Sequence, residues 1–116
     1  YASGGHNPIL YLTDGKPPAF LDVEDGFPLG VLKGSYSGNQ VRFKAGDLFI
    51  FYTDGITEAV NKRGEMYEQH RLAALAVRYK DSSAQAILDR LEKDVGRFGP
   101  RNKQHDDMTA IVVKIA

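Results

Sequence analysis

One aspartate and one aspartate pair stand where this sequence gives them no obvious charge partner. Asp54 directly follows LFIFYT (residues 48–53), a nearly unbroken apolar run, and is itself followed by Gly55. Asp106 and Asp107 directly precede a second apolar run, MTAIVVKI, at residues 108–115. A carboxylate at the edge of a buried strand is costly unless it is paired, hydrogen-bonded or bound to a metal. The nearby cations, Lys62 and Arg63, fall in a polar loop. If the two runs are antiparallel neighbours, the aspartate after one and the pair before the other reach the same end of a sheet. Hard divalent cations such as Mg²⁺ and Mn²⁺ prefer carboxylate oxygens, so two such aspartates make half of a metal site. The same spacing also suits two acidic loops that are simply solvated.

Asp54-Gly55 has a simpler reading as a hairpin turn, because Asp-Gly is a strong turn signal. The chain has two others, Asp14-Gly15 and Asp25-Gly26. A hairpin would need an alternating strand to follow. Residues 56–61 read ITEAVN, with Ile56, Ala59 and Val60 at i, i+3 and i+4, which suits a helical turn. Gly55 would then let the backbone turn sharply and approach a ligand.

The elements that must carry these aspartates follow from periodicity. PILYLT (8–13) predicts a strand closed by Asp14-Gly15, a short strand is expected around Phe20–Val23, and QVRFK (40–44) alternates like a third. AGD (45–47) turns the chain into LFIFYT, whose continuous apolarity predicts a central strand buried on both faces. Leu72, Leu75, Ala76 and Tyr79 then mark an amphipathic helix. A second helix has Ala84, Ile87, Leu88, Leu91 and Val95 on one face, with Ser82 and Gln85 at capping-box spacing and Gly96 and Gly99-Pro100 as stops. Strands, two helices and a last strand predict an α+β fold with a mostly antiparallel sheet.

Composition sets the outer limits. At 116 residues the chain is one domain at most. Lys and Arg together number 15, as do Asp and Glu, so no overall basic excess points to nucleic acid or an anionic membrane. No run is long enough to span a bilayer. The absence of cysteine excludes disulfides and thiolate metal sites and is compatible with a reducing compartment. The chain opens on YASGGHNP without a Met, which suggests processing or a longer parent, and the second is expected.

Four segments together, GGHNPILYL, PLGVL, GDLFIFYTDGITEAVN followed by GE, and DDMTAIVVKI, resemble the bacterial metal-dependent serine/threonine phosphatases. The likeness is to the SpoIIE/RsbU-like branch of the type 2C family and runs along the whole chain. It implies part of an antiparallel β-sandwich flanked by helices, with two helices inserted before the last strand and a binuclear Mn²⁺ or Mg²⁺ centre at one edge. Asp54 and Asp106 would be metal ligands, with Gly55 beside them. Asp107 would support them without touching the metal, and Glu58 matches a position that serves a weaker third metal in some relatives. His6, in the GHNP turn, is expected to be structural.

The resemblance further implies that residues 1–116 are the C-terminal portion of one catalytic domain, whose N-terminal half would bring the other aspartate ligands. The fragment alone is then expected to be inactive and to self-associate through a sheet face or edge. The intact domain would be a cytoplasmic protein phosphatase acting on a phosphorylated regulator such as an anti-sigma-factor antagonist, behind an N-terminal sensor domain. Two rival readings fit the residues: a partner-binding module of the same fold without catalysis, and a structural α+β domain in which Asp54-Gly55 is only a turn.

Overall fold

The structure is a computed structural model that describes residues 1–22, 28–31, 34–99 and 107–116. Its element order is β1 (Ile9–Leu12), β2 (Ala19–Leu21), β3 (Leu48–Tyr52), α1 (Asp54–Thr57), α2 (Glu68–Tyr79), α3 (Ala84–Phe98) and β4 (Ala110–Lys114). The strands form one antiparallel sheet in the order β2-β1-β3-β4. The α+β arrangement is therefore the one expected, with the two long helices placed before the last strand.

Strand alternation decides which residues meet the helices. Leu10 pairs with Ile50, and Ile50 with Val112, so these three share one face. Leu10, Leu12, Leu48, Ile50 and Tyr52 are buried on it with Leu72, Ala76, Ile87, Leu91 and Val95 of the helices. The opposite face is less covered. Phe49 is sheltered there by Tyr11, stacked at 4.8 Å, and by the edge of Phe43 at 6.2 Å. Ile111 and Val113 of β4 stay exposed on it. β3 is thus bonded along both edges and is the most buried strand, as its apolar run requires.

Five expectations need correction. Residues 40–44 form no strand. The Lys44 amide donates to Asp47 Oδ2 at 2.9 Å, and the Tyr11 hydroxyl reaches the Arg42 carbonyl at 3.4 Å, so side chains occupy groups that a ladder would use. The cap of α3 is Ser83, whose Oγ accepts the Ala86 amide at 3.2 Å; Gln85 bonds Asp89 instead of closing a box with Ser82. The helix also runs through Gly96 and stops only at Gly99, because one glycine costs too little to end a helix whose last turn is packed. The strand expected around Phe20–Val23 is seen as Ala19–Leu21, with Val23 outside the described residues. β1 and β2 do form a hairpin, but its loop is longer than Asp14-Gly15 alone.

Two polar anchors hold the sheet to its surroundings. Asp47, only 1% exposed, accepts from Tyr11 Oη at 2.8 Å and from the Lys44 amide. Burial pushes its carboxyl up, but the Thr13 hydroxyl, the Lys44 amide and the Tyr11 hydroxyl together outweigh this and hold it below the usual carboxylate range. On the other side, Lys114 Nζ donates to the carbonyls of Lys80 and Ser82 at 2.8 and 2.9 Å. It thereby fastens the α2–α3 connection to β4 and satisfies carbonyls that the end of α2 leaves free.

Asp47 should stabilise the fold at neutral pH. A carboxyl held below its unfolded value contributes stability above that value and loses it as pH falls through the folded one. Asp47→Ala is expected to cost about 2 kcal/mol at pH 7, with the gap to the native protein narrowing in urea titrations below about pH 4. Lys114→Met should cost about 1–2 kcal/mol, read as a lower urea midpoint at unchanged slope.

Candidate metal-binding edge of the sheet

The last residue of β3, Tyr52, pairs with the first of β4, Ala110. The chain therefore leaves β3 and enters β4 at the same end of the sheet, which brings Asp54 and Asp107 to one edge. Thr53 fixes this junction. Its amide donates to the Thr109 carbonyl at 3.1 Å, and its Oγ1 accepts the Thr109 amide at 3.0 Å. The same hydroxyl donates to the Asp107 carbonyl at 3.3 Å. Thr53 stands at the N-cap position of α1 but makes no side-chain cap to it. Its hydroxyl is committed to the neighbouring strand.

Asp54 is the first residue of α1 and exposed, where a negative charge also suits the start of a helical turn. The turn reading of Asp54-Gly55 gives way to this helical one. Gly55 is buried and has helical backbone angles rather than a positive φ, so the sharp turn expected of it is absent. Glu58 is exposed and ends α1, its amide donating to the Asp54 carbonyl at 2.8 Å. Asp107 is exposed. Asp106, the other expected ligand, lies outside the described residues, as does His105.

β1 starts at the same edge, and Asn7 Nδ2 reaches the Tyr52 carbonyl at 3.4 Å. His6, expected to be structural, is exposed; its Nδ1 lies 3.0 Å from the Asn7 carbonyl, and its amide donates to Ser3 Oγ at 3.1 Å. Two of the sequence motifs meet here, because Gly5, at φ 86°, lies so close to Pro28 that a Cβ would approach its ring to 3.0 Å. Behind the edge, buried Tyr52 accepts from Gln69 Nε2 at 2.9 Å. Burial raises its phenol above the ordinary value, Gln69 opposes this, and the charges of Asp54 and Asp22 add to it.

Among the described residues, no donor or cation reaches the Asp54 carboxylate, and no three carboxylates or imidazoles converge. An exposed, uncommitted carboxylate on a rigid edge fits a hard cation that takes oxygen ligands and keeps several waters. Asp54 and Asp107 alone are too few for a complete site. Sequence reading found the acidic residues but missed Thr53 and Asn7. A hydroxyl residue directly before the aspartate at a strand end was the available signal.

The family "Stage II sporulation protein E (SpoIIE)" matches residues 1–116. Phosphoserine phosphatase RsbU of Bacillus subtilis (strain 168) is 30% identical over 116 residues, which cover 98% of this chain and 34% of that protein. The chain thus spans about a third of the length of this curated relative. The SiaA-PP2C domain of Pseudomonas aeruginosa superposes with a TM-score of 0.78 at 18% identity, covering 96% of this chain and 44% of that one, which shows the shared fold. The phosphatase domain of the cell fate determinant SpoIIE from Bacillus subtilis, in a manganese-presoaked form, has a TM-score of 0.59 and 28% identity over 97% of this chain and 48% of its own. With its whole length matched and its sheet and helices arranged as in these domains, the chain belongs to the SpoIIE family.

Proposed function

We propose that residues 1–116 form the C-terminal portion of a catalytic domain that hydrolyses phosphoserine or phosphothreonine in a protein. The observation that carries this reading is the junction of β3 and β4, where Thr53 ties Asp54 to the segment bearing Asp107. Support comes also from the name of the RsbU relative and from the share, 44% and 48%, of the two phosphatase-domain structures that this chain covers. The remaining ligands would come from the rest of that domain.

Asp54 and Asp106 would hold a pair of Mn²⁺ or Mg²⁺ ions. Asp107, Glu58 and the Gly55 backbone would line their surroundings. When bound, such ions supply positive charge that activates water and offsets the charge gathering on phosphorus. The residues of this chain do the positioning. The sheet fixes where Asp54 starts, Thr53 sets the path of the strand that follows Asp107, and α1 places Glu58 one helical turn after Asp54, its amide bonded to the Asp54 carbonyl. Positioning of this kind matters because small displacements of reacting groups are costly in rate. The substrate would be a phosphorylated regulator of the anti-sigma-factor-antagonist kind, and a sensor or regulatory domain would precede the catalytic one. Among the described residues, no helix is long and apolar enough to cross a membrane.

In the full-length protein, Asp54→Asn should weaken Mn²⁺ binding by at least about 100-fold, measured by calorimetry, and abolish metal-stimulated release of phosphate from a phosphopeptide. Unchanged Mn²⁺ affinity would remove Asp54 from the metal site. Thr53→Val should lower metal affinity by about 10-fold while Thr53→Ser retains it. A loss in Thr53→Ser with full affinity in Thr53→Val would show that the methyl group, not the hydroxyl, matters.

A further inference from the structure

The chain has no net charge, yet its charges are not evenly spread. α2 and α3 form an antiparallel pair, with Tyr79 at the end of α2 beside Arg90 and Phe98 at the end of α3 beside Arg71. Between them runs a groove of about 480 Å³. Five cations line it: Arg71 and Arg78 from α2, and Arg90, Lys93 and Arg97 from α3. The single carboxylate there, Asp94, accepts the Tyr67 hydroxyl at 2.6 Å. Among the described residues, none of the five cations forms an ion pair.

The arginines are held rather than loose. Arg71 lies over the Phe98 ring at 4.7 Å, while Arg78 and Arg90 lie over Tyr79 at 5.4 and 5.1 Å. A guanidinium stacked on a ring keeps its in-plane N–H groups for an acceptor, and holding it there reduces the entropy lost on binding. Arg71 Nε is enclosed and has no hydrogen-bond partner, a cost that a bound acceptor would relieve. Nothing in the edge that carries Asp54 uses these residues.

We infer that the α2–α3 groove is a docking site for an acidic segment of a partner protein. The arrangement of charge favours an extended polyanion over a single small anion. Arg71 and Arg78 are seven residues apart on one helix face, a separation of about 10 Å. Arg90 and Arg97 repeat that spacing on the facing helix. The two ends of the groove thus carry arginine pairs, Arg78 with Arg90 and Arg71 with Arg97, and Lys93 lies between. The groove walls are helix interiors whose amides are already bonded, so no backbone cradle concentrates charge on one point. Carboxylates spaced two helical turns apart on a partner match both ends together, and the partly exposed rings of Tyr79 and Phe98 give its apolar atoms a surface. The inference is independent of the catalytic reading.

The test is fluorescence anisotropy on the full-length protein. The probe is a fluorescein-labelled helical peptide of about 15 residues with glutamates along one face, and a glutamine counterpart is the control. The acidic peptide should bind, and its affinity should fall by about 5-fold or more between roughly 50 and 300 mM salt. Arg90→Glu combined with Arg97→Glu, both exposed positions, should weaken binding by at least about 10-fold, whereas Lys62→Glu with Arg63→Glu should not. Circular dichroism checks that the variants fold. Should the reversal variant melt below the assay temperature, Arg78→Gln with Lys93→Gln gives the same reading with a smaller loss. Equal binding of the glutamine peptide, or full binding by the folded groove variant, overturns the proposal. So does binding of inorganic pyrophosphate or a single-stranded oligonucleotide to the groove without binding of the acidic peptide.

Discussion

β3 is hydrogen-bonded to β1 on one side and to β4 on the other, and the rest of the molecule is arranged around that double attachment. A strand in this position cannot leave polar groups unpaired, and it satisfies them through both ladders. Its apolar side chains supply the surface on which α2 and α3 rest. Its two ends are where polarity returns: Asp47 before it, buried and hydrogen-bonded, and Asp54 after it, exposed and uncommitted. The contrast between these aspartates separates a structural carboxylate from a candidate functional one. Asp47 spends its Oδ2 on the Tyr11 hydroxyl and the Lys44 amide, while Asp54 keeps its oxygens available.

The strongly periodic elements were legible from sequence. LFIFYT could only be a central strand, and the spacing of Leu72, Leu75 and Ala76 and of Ile87, Leu91 and Val95 marked two helices that pack as expected. The failures occurred where side chains compete for backbone groups. QVRFK alternates like a strand, but Asp47 takes the Lys44 amide, and no pattern of hydrophobicity records such a choice. Capping-box spacing puts the α3 cap one position early, on Ser82 with Gln85, whereas the neighbouring serine, Ser83, makes it. At the candidate site, acidity was visible and organisation was not. Thr53 reads as an ordinary β-branched strand residue until its hydroxyl is found bridging to residues 107 and 109.

Balanced composition concealed a polarised surface. Equal numbers of acidic and basic residues exclude a protein with a uniformly basic exterior, but they do not describe where charge lies. Here the acidic edge is built on strand ends and the basic groove on helix faces, so the two kinds of charge occupy different structural layers. Segregation of this sort lets one small domain present two surfaces of opposite preference without a large net field. It also means that sequence counts inform on solubility far better than on recognition.

Thr53 places the candidate site on the most cooperative part of the molecule. Its amide and hydroxyl belong to the same network as the β3–β4 ladder, so the gap between Asp54 and Asp107 is governed by sheet pairing rather than by loop motion. Openings that free such amides are expected to need near-global unfolding rather than local fraying. The geometry of the edge should therefore persist on warming until the fold itself gives way, and then be lost all at once.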